Sequence, residues 1–289
     1  MAAPLLVVDA PSLLYRAFFA LPDSIAGADG TPVNALLGAA NAILRVVADR
    51  GPRAVVVCSG AEAAAYRKAL YPPYHADRPP VPKGLAPQLA RAEAFFAAFG
   101  WTCMDAGDLE ADDLLHAFAR AELAAGGEAL LMTGDRDLFQ CAAPGVTVLY
   151  LKTGVKGVEE VGPEEVERRY GVAPALVPDF IALRGDPSDG LPGARGIGEK
   201  TAAELLRRHG SLEAALAAPD GEKPRVAAAL REQADELRAF LDVATLRDVA
   251  VERPPDRATD LAAGADAAEA LGMNRLAARL RGAGDASRL

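Results

Sequence analysis

The chain has 289 residues, of which 51% are apolar and 25% charged, and it carries a formal net charge of −9. That length can bury a sizeable core and divide into one large domain and a smaller one. The opening MAAPLLVVDA lacks a basic residue ahead of its short apolar run, and nowhere do eighteen apolar residues follow one another without a charge, so neither a secretory signal nor a membrane span is expected. Cys58, Cys103 and Cys141 are odd in number, far apart and in no metal-ligand spacing, which predicts a reduced, cytoplasmic chain.

In chain order, LLVV at 5–8 is a short aliphatic run that ends on Asp9. An Ala-rich helical pattern covers 35–50, and a second run, AVVVC at 54–58, ends on Ser59 and Gly60. Residues 62–91 mix Arg67, Lys68, Arg78, Lys83 and Arg91 with Tyr66, Tyr71 and Tyr74, and prolines at 72, 73, 79, 80 and 82 make this a loop or broken helix. Basic groups interleaved with aromatics suit single-stranded or frayed nucleic acid, where bases stack and phosphates pair; a solvated loop with half-buried tyrosines is the plainer alternative. Helical patterns follow at 86–99 and 111–125, and a third aliphatic run at 129–132 ends on TGD. Strands alternating with helices predict an α/β domain with a mainly parallel sheet, in which ligands bind at the carboxyl ends of strands. Asp9 and Asp135 each stand at such an end.

From about residue 162 the pattern changes to helical pieces broken by Gly and Pro, which predicts an all-helical region over roughly 162–250. The stretch 251–289 is rich in Ala, Gly and Asp and reads as a partly helical tail.

Acids gather at four places: Asp9; Glu110, Asp112 and Asp113; Asp135 and Asp137; Asp186 and Asp189. Hard oxygen ligands drawn from several elements suit magnesium or manganese, and so many anions packed together call for cations. Two metals about 4 Å apart can activate a water and stabilise a leaving oxygen, which is phosphodiester hydrolysis without a protein nucleophile. His75, His116 and His209 lie in no nucleophile motif. Each group also has a structural reading: first-turn acids favour the helix dipole, and aspartates form turns. Acidity argues against a nucleic-acid partner, but assigning eight carboxylates to a metal centre leaves the remaining surface nearly neutral. Farther on, LPGARGIGEKTAAELL is a Gly-rich turn leading into a helix. Gly196 and Gly198 let a phosphate approach the backbone amides, and Lys200 adds charge.

With VVDAPSLLYRAFF, LEADDLL, TGDRDLFQ and ALRGDPSDGLPGARGIGEKTAAELL in order from residue 5 to about 250, the chain resembles the 5′-3′ exonuclease domain of bacterial type I DNA polymerases and their free-standing flap endonuclease relatives. The resemblance implies a PIN-like catalytic domain over 1–161 with helices on both faces of its sheet and an arch at about 62–91, then a helix-three-turn-helix DNA clamp over 162–250. It implies two magnesium or manganese ions held by Asp9, Glu110, Asp112, Asp113, Asp135, Asp137, Asp186 and Asp189, and a potassium ion at the clamp turn. Arg16, Tyr74, Arg78, Lys83, Gly196, Gly198 and Lys200 are then the expected DNA contacts. The implied partners are DNA 5′ ends, flaps or nicks and RNA primers, met by a monomer in replication and repair. Two departures stand out. Cys58-Ser59-Gly60 occupies the place of a metal-linked aspartate after the second strand, and Tyr74-His75 replaces Tyr-Lys in the arch. The first predicts a weakened metal shell, and the second gives up phosphate attraction. A branched-DNA-binding protein that cleaves poorly is the competing expectation, and a PIN-type ribonuclease is disfavoured by the clamp and the length.

Overall fold

The computed structural model describes residues 3–152 and 157–286. Its centre is a six-stranded sheet of β1 (Leu5–Asp9), β2 (Ala54–Ser59), β3 (Thr102–Asp105), β4 (Ala129–Thr133), β5 (Val146–Tyr150) and β6 (Glu159–Val161), in the spatial order β3-β2-β1-β4-β5-β6. The first five are parallel, and β6 closes antiparallel on β5. Because both faces are covered, β1 and β2 are aliphatic runs rather than alternating strands. Sequence patterning anticipates β1, β2 and β4; β3 is a four-residue edge strand of mixed polarity and β6 has three residues, so neither carries a hydrophobic signal.

Helices α1 (Ala10–Ala20) and α2 (Asn34–Arg50) connect β1 to β2, α3 (Ala65–Leu70) and α4 (Ala86–Ala97) connect β2 to β3, and α5 (Ala111–Ala124) connects β3 to β4. Side chains alternate across β1: Leu5 and Val7 join Leu114, Leu115 and Phe118 of α5, while Leu6 and Val8 join Leu13, Leu36, Ile43 and Phe96 on the other face. The chain runs outward from β1 to β3, then returns to lay β4 on the opposite side of β1. That reversal opens a crevice at the carboxyl ends of β1 and β4.

The helical region comprises α6 (Pro163–Tyr170), α7 (Val177–Arg184), α8 (Glu199–His209), α9 (Leu212–Ala217), α10 (Pro224–Glu232) and α11 (Ala234–Ala244). Its apolar side chains, among them Phe180, Leu205 and Phe240, belong to the same continuous cluster as Leu5 and Val7. The helical region therefore shares one core with the α5 face of the sheet. The stretch expected as a tail forms a helical hairpin, α12 (Leu261–Ala270) and α13 (Asn274–Ala286), that buries Ala265, Ala268, Leu276 and Leu280 in the second cluster. A Cβ on Gly264 would lie 2.4 Å from the Phe99 ring, so the close packing needs glycine there. Buried Glu122 accepts from Arg53 and Arg253 and ties the lead-in to this hairpin against α5. Among the described residues, no helix is long and apolar enough to cross a membrane.

Candidate active site

The crevice widens into a cleft of about 1750 Å³ whose lining includes Asp9, Glu110, Asp112, Asp135, Asp137, Asp186 and Asp189. Each acid is placed by local chemistry. Asp9 caps α1, its Oδ1 accepting from the Ser12 amide at 3.0 Å, and its Oδ2 accepts from the Thr133 hydroxyl at 2.6 Å across the β1/β4 seam. The Thr133 hydroxyl accepts in turn from the Asp135 amide at 2.9 Å, and Asp135 Oδ1 accepts from the Asp137 amide at 2.9 Å, so TGDRD folds into a turn that carries both aspartates inward. Arg16, two turns along α1, donates to the Gly134 carbonyl at 2.6 Å; a Cβ at Gly134 would lie 1.7 Å from its Nε.

These floor acids are short of positive charge. Burial, then Asp9 and Asp135, push the Asp112 carboxyl well above the ordinary range, and burial, then Asp135 and Asp189, do the same to Asp137. Asp135 is pushed up to about 6, chiefly by burial and then by Asp189; burial raises Asp9 against the pull of Thr133 and Ser12. Among the described residues no three acids, histidines or cysteines converge into a finished metal cage. The donor set nevertheless fits hard divalent cations: all-oxygen, multiply anionic, half-buried to buried, and deficient in counter-charge.

On the arch side the acids are already matched, and several expectations change. Asp113, expected as a ligand, is fully buried outside the cleft: it accepts from Arg67 at 3.1 Å and from the Arg247 amide at 2.8 Å, and its other oxygen accepts from the Glu110 amide. It closes a capping box at the start of α5, so it is a structural residue rather than a ligand. Tyr74, expected to meet DNA, is 3% exposed and donates its hydroxyl to Glu110 at 3.0 Å, because a buried phenol takes the nearest carboxylate. Arg67, grouped in sequence with the exposed basic residues, is equally buried and pairs with Glu110 at 2.8 Å. Glu110 also accepts from the Ala64 amide at 2.7 Å, so its oxygens are committed to the arch. Lys83 is exposed and outside the cleft lining, whereas Arg78 lines it, 3.8 Å from Asp189.

His75 stacks on Tyr74 with ring centroids 3.8 Å apart, and its Nε2 lies 2.8 Å from Asp189 Oδ1. It is the one non-glycine residue with positive φ among those described, at 56°. Asp186 accepts from the Ser188 amide at 2.8 Å and from Arg184 at 3.2 Å, in the tight turn that brings the helical region to the cleft.

At the position of the missing aspartate, Ser59 is in register with Asp105 of β3 and donates its hydroxyl to that carboxylate at 2.8 Å. Both line the cleft. Sequence reasoning missed Asp105 because β3 was not recognised, and only strand register reveals it. Gly196, at φ 75°, lies under the Arg225 guanidinium, and Gly198 is the N-cap of α8 without a side-chain cap; Lys200 is exposed in the first turn.

Residues 4–171 match the 5′-3′ exonuclease N-terminal resolvase-like domain, and residues 172–263 match the 5′-3′ exonuclease C-terminal SAM fold. The chain belongs to the 5′-3′ exonuclease family. As such it is a nuclease, a phosphodiester hydrolase, with a PIN-like sheet domain and a SAM-like helical region. It is 40% identical to a 5′-3′ exonuclease of Streptomyces coelicolor over 98% of both chains, and 37% identical to one of Mycobacterium tuberculosis over 99% of both. It is also 37% identical to the thermostable DNA polymerase I of Thermus thermophilus over 87% of this chain and 30% of that one. Among solved structures, the bacteriophage T5 flap endonuclease in complex with DNA and metal ions matches with a TM-score of 0.69 at 16% identity, covering 96% of this chain and 97% of that one, a likeness of fold.

Proposed function

We propose that this exonuclease-family chain is a structure-specific 5′ nuclease that hydrolyses DNA at 5′ ends, flaps or nicks, RNA primers included, as a monomer with two bound magnesium or manganese ions. The observation that carries the reading is the cleft floor, where Asp9, Asp112, Asp135 and Asp137 share one space and burial raises every one of these carboxyls above its ordinary range. These four would hold one ion, and Asp186 and Asp189 on the facing rim would help to hold the second. Bound cations would supply Lewis acidity and an activated water. The chain's own groups do the rest. Arg16, fixed on the Gly134 carbonyl beside Asp9, presents charge to a phosphate, and Arg78 does so from the arch. The uncapped start of α8, with Gly196, Gly198 and Lys200, offers amides to a duplex phosphate farther along, and carbonyls of the same turn would hold potassium. Asp105, held by Ser59, keeps a carboxylate at the rim where the aspartate is missing, which weighs against the reading of a binding protein that cleaves poorly.

The test is cleavage of a 5′-labelled flap duplex with magnesium or manganese. Release of short 5′ products by the wild type, reduced roughly 10³-fold or more in Asp135→Ala, is the expected result. Tight flap binding without cleavage in either metal would replace this reading by the binding one.

A further inference from the structure

Apolar side chains also line the cleft. α1 starts at Asp9 on the acid floor and presents Tyr15, Arg16 and Phe19 to the cleft as it leaves. Tyr15 and Phe19 are one turn apart on the same face. Phe19 is 73% exposed, and every other aromatic side chain among the described residues is buried or half-buried. Loose packing does not explain this. Phe18 turns inward against the second core cluster and stands edge-on to Phe19 with centroids 5.3 Å apart, and Asn34 donates to the carbonyls of Phe18 and Leu21 at 3.0 Å. The ring is therefore held in water by a rigid helix end.

Pro79, Pro80 and Pro82 of the arch line the same cleft as Phe19. Prolines give an apolar wall with little backbone freedom to lose on binding. The Tyr15 hydroxyl is enclosed and has no hydrogen-bond partner, in the neighbourhood of Glu62 and Arg78. The cleft thus combines a flat exposed ring, an apolar wall, an unpaired hydroxyl and two arginines, and it continues into the floor where the phosphodiester is cut. A nucleobase matches each feature: an apolar face, a polar edge and an attached phosphate.

We propose that Phe19 is a base-stacking residue that holds an unpaired nucleotide of the 5′ strand against the Pro79–Pro82 wall, next to the phosphate being cleaved. The inference rests on the nuclease reading above and adds the residue that selects an unpaired base. Stacking of this kind contributes about 5- to 100-fold in affinity for one base.

The experiment uses the full chain and a 5′ flap with 2-aminopurine as the first unpaired base, beside an identical flap abasic at that position. Wild type should quench the 2-aminopurine on binding and show a KM about 5- to 100-fold higher for the abasic flap, with kcat little changed. In Phe19→Ala the quench should disappear, and intact and abasic flaps should become equivalent; Phe19→Trp should restore both, while Phe19→Leu should not. Because the ring is exposed, thermal melting of the variants should match wild type. Equal quenching by Phe19→Ala, or an undiminished preference for the intact flap, overturns the inference. A wild type that binds but does not cleave overturns the nuclease reading instead, and the quench in the two proteins still decides the role of Phe19.

Discussion

Two sets of acids lie at or beside this cleft, and they are treated in opposite ways. On the arch side, Glu110 and Asp113 are buried and paired with the equally buried Arg67, with Tyr74 and backbone amides satisfying the remaining lone pairs. On the floor, Asp9, Asp112, Asp135 and Asp137 are pushed toward their neutral forms by burial, and Asp112, Asp135 and Asp137 by neighbouring acids as well. The first set is a finished internal salt bridge that fixes the arch to α5. The second has no such matching cation, and that is the place the proposed metal ions would fill. The lesson is that a count of acids overstates a candidate metal site, and the presence of a protein cation separates acids that serve the fold from acids free to take a ligand.

Removing the cation from the finished set should have the largest effect on stability. Arg67→Met leaves two carboxylates buried without a cationic partner and should cost about 3–5 kcal/mol in urea unfolding. A loss under about 1 kcal/mol would show that the arch pairing is not a structural unit.

The incomplete set should respond to pH and to metal. Asp135, raised to about 6 in the folded state, binds more protons folded than unfolded between the ordinary carboxylate range and about pH 6. Stability in EDTA should therefore fall as pH rises through that window, by roughly 1–3 kcal/mol, with Asp112 and Asp137 extending the decline upward. Magnesium or manganese should reverse the fall at neutral pH, and Asp135→Asn should flatten it. Melting curves at pH 5 and pH 7 with and without metal measure this; a stability that rises with pH in EDTA would contradict the picture of an uncompensated floor.

Asp105→Ala probes the boundary between the two sets, since this carboxylate is exposed at the rim and held by Ser59. A loss of roughly tenfold in metal affinity or cleavage is expected, with unchanged melting. Unchanged cleavage would assign Asp105 to the strand end alone. The smallest effect should come from Tyr74→Phe, which removes one donor to Glu110 and should cost about 1 kcal/mol.

Much of the fold was legible in the chain. Aliphatic runs at β1, β2 and β4 marked the central strands because a doubly covered parallel sheet demands them, and TGDRD marked a turn that the structure places at the cleft. Three strands were not recognised: β5, an interior strand, and β3 and β6, which are short and mixed in polarity; α12 and α13 looked like a tail because their small side chains gain meaning only against Phe99 and Trp101. In the site, spacing put Glu110, Asp112 and Asp113 together without distinguishing them. Three neighbours on one helix start point in different directions, one toward the arch, one toward the floor and one into the core beneath Arg67.

By itself, then, the sequence determined the family, the parallel sheet and the acids at its strand ends, because hydrophobic runs and local turn chemistry are written in neighbouring residues. Only the tertiary structure decided which acids lack a partner, that Tyr74 and Arg67 face inward, and that Asp105 stands beside Ser59. Those outcomes depend on burial and on strand register, which bring together residues far apart in the chain and set the cost of each charge.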